Sequence, residues 1–240
     1  NSSMNTSQLT ITIISELKAA AEPAYRESAL RFVSRPIDPL LGVRTANTRA
    51  IAARHFASIK PLPMPERLAA CDALIETRIF EARIVAFDWA DRSKRLFESK
   101  HLKHFYGWLA EYVDDWNDCD DLSTHALGEF FLKFPESAGE TSRWARSNKR
   151  WVQRAAAVSL ILPLRKGQQL DQAFAVAGTL LTTDDDLLQK AYGWMLKEAT
   201  RKFQPQVFDF VMQHKDKMPR TALRYAIEKM PASLKRQAMS

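Results

Sequence analysis

Almost every stretch of this chain repeats its apolar residues with the period of a helix, and none sustains the alternation of a strand. From Ser7 to Ala21 the residues Leu9, Ile13, Ile14 and Leu17 fall on one helical face. Only 7 glycines occur in 240 residues, and none forms a Gly-rich loop. Such a chain can bury its apolar stripes only by packing helix against helix, so an all-α fold is expected. Beyond 7–21, the pattern predicts helices near 23–33, 45–58, 66–76, 78–90, 101–113 and 118–133. It continues with 140–147, 148–162, 169–181, 185–201, 205–213 and 219–230. The turn Arg35-Pro36-Ile37-Asp38-Pro39 must interrupt the second helix, because proline lacks an N–H and restricts the residue before it. Thr45 is expected to cap the third helix, and Pro61-Leu62-Pro63-Met64-Pro65 to open the fourth. Thr183-Asp184-Asp185-Asp186 reads as a helix start, where the dipole favours acids, rather than as an acidic site. Many short helices with short connections leave a bundle or an α-solenoid, and the solenoid is preferred.

Residues 1–7 are expected as a disordered tail, with Asn1-Ser2-Ser3 an appended remnant before Met4, and 8–240 as one domain. At 46% hydrophobic residues the chain can build a sizeable core, yet no run approaches the roughly 18 apolar residues that span a bilayer. With no signal-peptide core and only Cys71 and Cys119, a cytoplasmic protein without a disulfide framework is expected. The net charge of +7 and pI near 9.5 favour a polyanionic partner, because bound Lys and Arg release phosphate counterions.

Three motifs organise the middle and end of the chain. Trp116-Asn117-Asp118-Cys119-Asp120 puts an aromatic ring and a carboxylate one helical turn apart on one face. Arg150-Trp151-Val152-Gln153-Arg154-Ala155-Ala156 places Trp151 and Arg154 at i, i+3 among small residues that let helices approach. Lys190, Trp194 and Lys197 share a stripe in the third. The tryptophans recur at spacings of about 35 and about 43 residues, near the period of a helix-pair repeat. Each motif also has a plain structural reading: a core tryptophan beside a solvated acid, or a surface arginine on a packed helix. Two patterns favour chemistry over those readings. Asp114, Asp115, Asp118, Asp120 and Asp121 crowd one stretch of a basic protein, which opposes phosphate binding unless one of them has a task. A carboxylate beside a ring face suits a developing sugar cation, and it could also align or deprotonate a water. Secondly, Arg143, Arg146, Lys149, Arg150, Arg165 and Lys166 flank Arg154 as a groove tracking a phosphate backbone requires. His101 and His104 lack the further ligands zinc needs, so no metal site is expected. No nucleophile elbow, phosphate loop or dinucleotide fingerprint is present, and Arg224-Tyr225 reads as a solvated helix end.

In this order the motifs resemble those of the AlkD-like family of DNA alkylation-repair glycosylases. The likeness lies in Trp-x-x-x-Asp (Trp116, Asp120), Trp-x-x-Arg-Ala-Ala (Trp151, Arg154) and Gly-Trp-x-Leu-basic-Glu (Trp194, Lys197). Leu41-Gly42-Val43-Arg44-Thr45 resembles the family's N-terminal Leu-Gly-Ile/Val-x-Thr turn, and the match spans roughly 10–230. The resemblance implies a right-handed α-solenoid of HEAT-like repeats with a concave basic groove for duplex DNA. It implies a monomeric enzyme without cofactor or metal, associated with the nucleoid through DNA. Its reaction would be excision of cationic N3- and N7-alkylated purines, such as 3-methyladenine and 7-methylguanine, or of bulkier adducts. Asp120 would then be the catalytic carboxylate, with Trp116 and Trp194 against the lesion sugar. Arg154, Lys197, Arg44, Trp151, Arg150 and Lys190 would contact DNA. The base would stay largely stacked, whereas many glycosylases flip it into a pocket. Lys197 stands where the family commonly has arginine, which keeps the charge but loses the bidentate fork. The alternatives are a non-catalytic HEAT-like protein that grips damaged or branched DNA and a scaffold for acidic proteins.

Overall fold

A computed structural model describes residues 5–37 and 39–240. Residues 1–4, within the stretch expected as a tail, and Asp38 of the proline-rich turn lie outside them. The described residues form helices joined by turns, with no strand among them, as the periodicity requires. They divide into two compact units, the first ending at Leu122 and the second beginning at Ser123.

The first unit contains α1 (Thr6–Ala20), α2 (Pro23–Leu30), α3 (Thr45–Phe56), α4 (Met64–Ile75), α5 (Phe80–Arg92), α6 (His101–Glu111) and α7 (Trp116–Leu122). α1 begins inside the stretch expected as a tail, and its cap is Asn5, whose side chain accepts the Ser7 N–H at 3.0 Å. Helices α1, α3, α4 and α5 pack together, burying Ile13, Leu17, Leu74, Val85, Phe87 and Trp89 completely or nearly so. The Trp89 indole N–H still needs an acceptor in this apolar setting and finds the Ala52 carbonyl at 2.8 Å. A 3₁₀ turn, Lys94–Leu96, leads towards α6, whose Trp108 stacks on Phe87 at 5.9 Å.

The turn Leu41-Gly42-Val43 is built around a buried carboxylate. Glu81, at the start of α5, accepts the Leu41, Gly42 and Val43 N–H groups at 2.9, 2.9 and 3.1 Å. Gly42 is required for two reasons. Its φ of +88° is left-handed, and a Cβ there would lie 2.4 Å from Arg26 Cβ. Thr45 is the first residue of α3 rather than its cap; Arg44 occupies the cap position and makes no capping bond with its side chain.

The second unit contains α8 (Gly128–Lys133), α9 (Thr141–Ala145), α10 (Arg150–Val158), α11 (Ile161–Arg165), α12 (Leu170–Leu180), α13 (Asp186–His214), α14 (Arg220–Ile227) and α15 (Ala232–Met239). Ser123–Leu127 forms a π-turn before α8, and Pro135–Glu140 a 3₁₀ segment after it. α13 is the hub, packing on α10, α11, α12, α14 and α15. The two helices expected at 185–201 and 205–213 are its two halves. They are joined by a kink at Phe203 (φ −134°, ψ 36°), just ahead of Pro205. Gly193 lets α14 approach: a Cβ there would lie 2.7 Å from Tyr225 Cβ and 3.0 Å from the Ala222 carbonyl.

The cap of α13 was legible in the sequence. Asp185 accepts the Leu187 N–H at 3.0 Å and receives both arms of Arg150, Nε and Nη2, at 2.7 Å each. Burial alone would raise the Asp185 pKa, but the Arg150 guanidinium and the Leu187 and Leu188 amides outweigh it and hold the carboxyl below its usual value.

Two measurements check this account. Gly42→Ala should destabilise the protein by at least about 2 kcal/mol in urea denaturation, because the left-handed turn and the contact with Arg26 both oppose a Cβ. Asp185→Asn keeps a capping oxygen and removes the charge, so it should cost about 1 kcal/mol at pH 7. A depressed folded pKa stabilises above the unfolded value of about 3.9. The difference between wild type and Asp185→Asn should therefore persist down to about pH 4 and vanish as pH falls through the lower folded value.

Candidate functional site

Two candidate residues of the first unit, Trp116 and Asp120, lie on α7, and the third, Arg44, lies at the cap of α3. Five aspartates crowd α7 and the loop before it, and the partners of Asp114, Asp115, Asp118 and Asp121 show what the cluster does. Asp118 is fully buried. Its Oδ2 meets Arg83 Nε at 2.9 Å, and its carboxylate accepts the Asp114, Asp115 and Cys119 N–H groups at 2.9, 2.9 and 3.1 Å. Asp115 accepts both the N–H and the hydroxyl of Ser34 at 2.8 Å, and the Trp116 N–H at 2.7 Å. Asp114 takes Arg35 at 3.0 Å and Arg83 at 3.4 Å. Asp121 takes Arg49 Nη2 at 2.5 Å, and Asp88 faces the same guanidinium at 3.8 Å. The crowd of acids is therefore chiefly an anchoring device, and the inference from crowding to chemistry does not hold.

The fifth, Asp120, is half-buried and follows Trp116 by one turn of α7. Trp116 is also half-buried, and its indole N–H donates to the Phe32 carbonyl at 2.9 Å. Its ring borders a cavity of about 300 Å³ lined also by Tyr25, Val43, Arg49, Phe80 and Asp121. Arg44 is exposed; it pairs with Glu22 at 2.9 Å and lies 5.1 Å above the Tyr25 ring.

The remaining candidates belong to the second unit and divide between α10 (Arg150, Trp151, Arg154) and α13 (Lys190, Trp194, Lys197). Arg154 on α10 is 6% exposed and donates to the Leu187 carbonyl at 2.7 Å, in the first turn of α13. Arg150 is held by Asp185 and lies 5.1 Å above the ring of Trp151, so it is a fixed structural cation rather than a mobile one. Lys190 pairs with Asp186 at 2.9 Å; that hydrogen bond raises its pKa, so the ammonium stays charged at neutral pH. Trp194 is half-buried, and Lys197 pairs with Glu228 at 2.8 Å. Lys197 also lies 5.5 Å above the Tyr225 ring, which makes Tyr225 a member of this face that the sequence reading had placed on a solvated helix end. The periodicity of α14, read alone, carried no sign of Gly193 opposite Tyr225.

Each motif thus mixes two kinds of residue. In the third, Gly193 admits α14 and Leu196 joins the core, while buried Glu198 accepts Arg165 at 2.8 Å. Trp194 and Lys197 are left on the accessible side. In the second, Ala155 and Ala156 are fully buried, as close helix packing demands. The two histidines are structural: His101 Nδ1 accepts the Glu98 N–H at 2.9 Å, and His104 pairs with Asp72 at 2.9 Å. Among the described residues no cluster of three or more His, Cys, Asp and Glu is arranged to hold a metal ion. No helix among them is long and apolar enough to cross a membrane.

No curated protein sequence matches the chain. The chain is similar to a solved structure described as a predicted DNA alkylation repair enzyme from Enterococcus faecalis. The TM-score is 0.77 at 14% identity, covering 88% of this chain and 97% of that one. That likeness shows the all-α fold. The family model for DNA alkylation repair enzymes matches residues 13–230, nearly the whole chain. This protein belongs to the DNA alkylation repair enzyme family.

Proposed function

We propose that this protein is a DNA glycosylase that hydrolyses the N-glycosidic bond of cationic alkylated purines in duplex DNA. The observation that supports the reading is the family to which the chain belongs, together with the placement of Asp120 one turn after Trp116 on α7. A purine alkylated at N3 or N7 is already positively charged. When its bond to the sugar breaks, the bonding pair goes to the base nitrogen and neutralises that charge, so departure needs little acid catalysis. The positive charge passes to the sugar as an oxocarbenium ion. The Asp120 carboxylate stabilises that cation and aligns a water for attack on the anomeric carbon, and the water's proton passes to the carboxylate or to solvent. The Trp116 ring face adds its negative quadrupole. In the second unit, the family resemblance makes Arg154, Lys197 and Trp194 its contacts with the DNA backbone.

The second reading, a repeat protein that binds damaged DNA without cutting it, draws on the pairing of the cations. Lys190, Lys197 and Arg44 each have a carboxylate partner that phosphate must displace. The two readings separate on one assay, the release of free 7-methylguanine and 3-methyladenine from methylated duplex DNA. Wild type should release both. Asp120→Asn should lose about 100-fold or more in rate while binding DNA as wild type does. Binding without release by wild type would favour the non-catalytic protein. Lys197→Ala should weaken binding to all duplexes alike and lower the slope of log affinity against log salt by about 1. An unchanged slope would remove Lys197 from the DNA contacts.

A further inference from the structure

The bare backbone of Gly193 brings one tyrosine close to the basic stripe of α13. A Cβ at Gly193 would lie 2.7 Å from Tyr225 Cβ, so the base of the Tyr225 side chain is pressed against that helix. Gly193 falls between Lys190 and Lys197, which lie two helical turns apart on one face. The tyrosine is therefore set between two ammonium groups. Lys197 Nζ lies 5.5 Å from the ring centroid, and Lys190 is near enough for the phenol to act on it through space. The ring is fixed as well as close. It is half-buried, backed by α13, and covered by an ammonium that Glu228, the residue after α14, holds at 2.8 Å.

This setting leaves the phenol hydroxyl idle. A tyrosine out of water ordinarily finds a partner for that group. Tyr192, next to Gly193, gives its hydroxyl to the Leu181 carbonyl at 2.7 Å. The Tyr225 hydroxyl makes no hydrogen bond among the described residues, and it is not one of the enclosed polar atoms left without a partner, so it opens to solvent. A neutral donor held between two cations, on the helix face where Trp194 is also accessible, suits a phosphate oxygen. The Glu228 carboxylate that now meets Lys197 is half-exposed and can turn to water when an anion replaces it.

We propose that Tyr225 is a DNA-contacting residue, whose hydroxyl donates to the same backbone phosphate that Lys197 neutralises. This rests on the reading of Lys197 as a DNA contact and adds direction to it. A lysine attracts phosphate as a point charge, whereas a hydroxyl on a ring fixed at Gly193 sets where the phosphate sits. A phosphate so held fixes the register of the strand and leaves the bases stacked.

The test measures affinity for one duplex at several salt concentrations, with thermal melting as a check on folding. Wild type, Tyr225→Phe, Lys197→Ala and the double variant are compared. Tyr225→Phe should melt as wild type does, because the lost hydroxyl has no partner in the protein. It should bind the duplex roughly tenfold more weakly, with an unchanged salt slope because no charge is lost. With Lys197→Ala already in place, the same change should cost less than about threefold, since the shared phosphate is no longer seated. Equal binding by wild type and Tyr225→Phe would overturn the contact, and methylpurine release by both would leave the glycosylase reading standing. A full tenfold loss in the Lys197→Ala background would also overturn it, by putting hydroxyl and ammonium on different phosphates. Weaker binding together with a lower melting temperature would overturn it by making Tyr225 a packing residue. Failure of wild type to bind DNA would overturn it together with the reading beneath it.

Discussion

The Arg83–Asp118 pair is the interaction on which the candidate carboxylate depends. Both side chains are out of water, at 1% and 0% exposed, which would cost several kcal/mol per ion if either stood alone. They are not alone. Arg83 also reaches the Asp114 carboxylate and the Arg78 carbonyl, and Asp118 collects the amides of residues 114, 115 and 119. The pair thereby ties α5 to the start of α7 and closes the turn that carries Trp116. With α7 fixed in rotation, Asp118 points inward and Asp120, two positions on, points elsewhere. The sugar-facing role proposed for Asp120 requires that geometry.

The second unit solves a similar problem with a different pair. Arg150 and Asp185 fix the start of α13, and Arg154 docks on the Leu187 carbonyl of the same turn. Close approach of α14 across Gly193 then sets Tyr225 against Lys197. In both units the motif glycines and inner carboxylates build the frame, while Arg44, Trp116, Trp194 and Lys197, one or two positions away, stay at least partly exposed. Motifs of this kind are short because frame and chemistry are interleaved on a single helical turn.

That interleaving explains what was legible beforehand. The helical class and most element positions follow from a 3.6-residue period, which local sequence displays directly. The Asp185 cap was also local, since its signature lies within three residues. Asp118 and Asp121 were not legible as anchors, because Arg83 and Arg49 are remote in sequence and the pairings are tertiary. Local charge counting therefore read a structural cluster as a chemical one. Tyr225 and the Phe32 loop were missed for the same reason: each gains its meaning from a contact with another element. Helix α15, short and half polar, lacked a periodic stripe long enough to register.

The central claim is that two aspartates on one turn divide the work, Asp118 holding the fold and Asp120 serving the reaction. Urea denaturation of Asp118→Asn and Asp120→Asn, side by side at pH 7, tests it most directly. Asp118→Asn should lose about 3–5 kcal/mol, because it leaves Arg83 buried without its counter-charge. Asp120→Asn should stay within about 1 kcal/mol of wild type, as expected for a half-buried side chain replaced by its isostere. A large loss at Asp120 with little at Asp118 would contradict the account and make Asp120 the anchor.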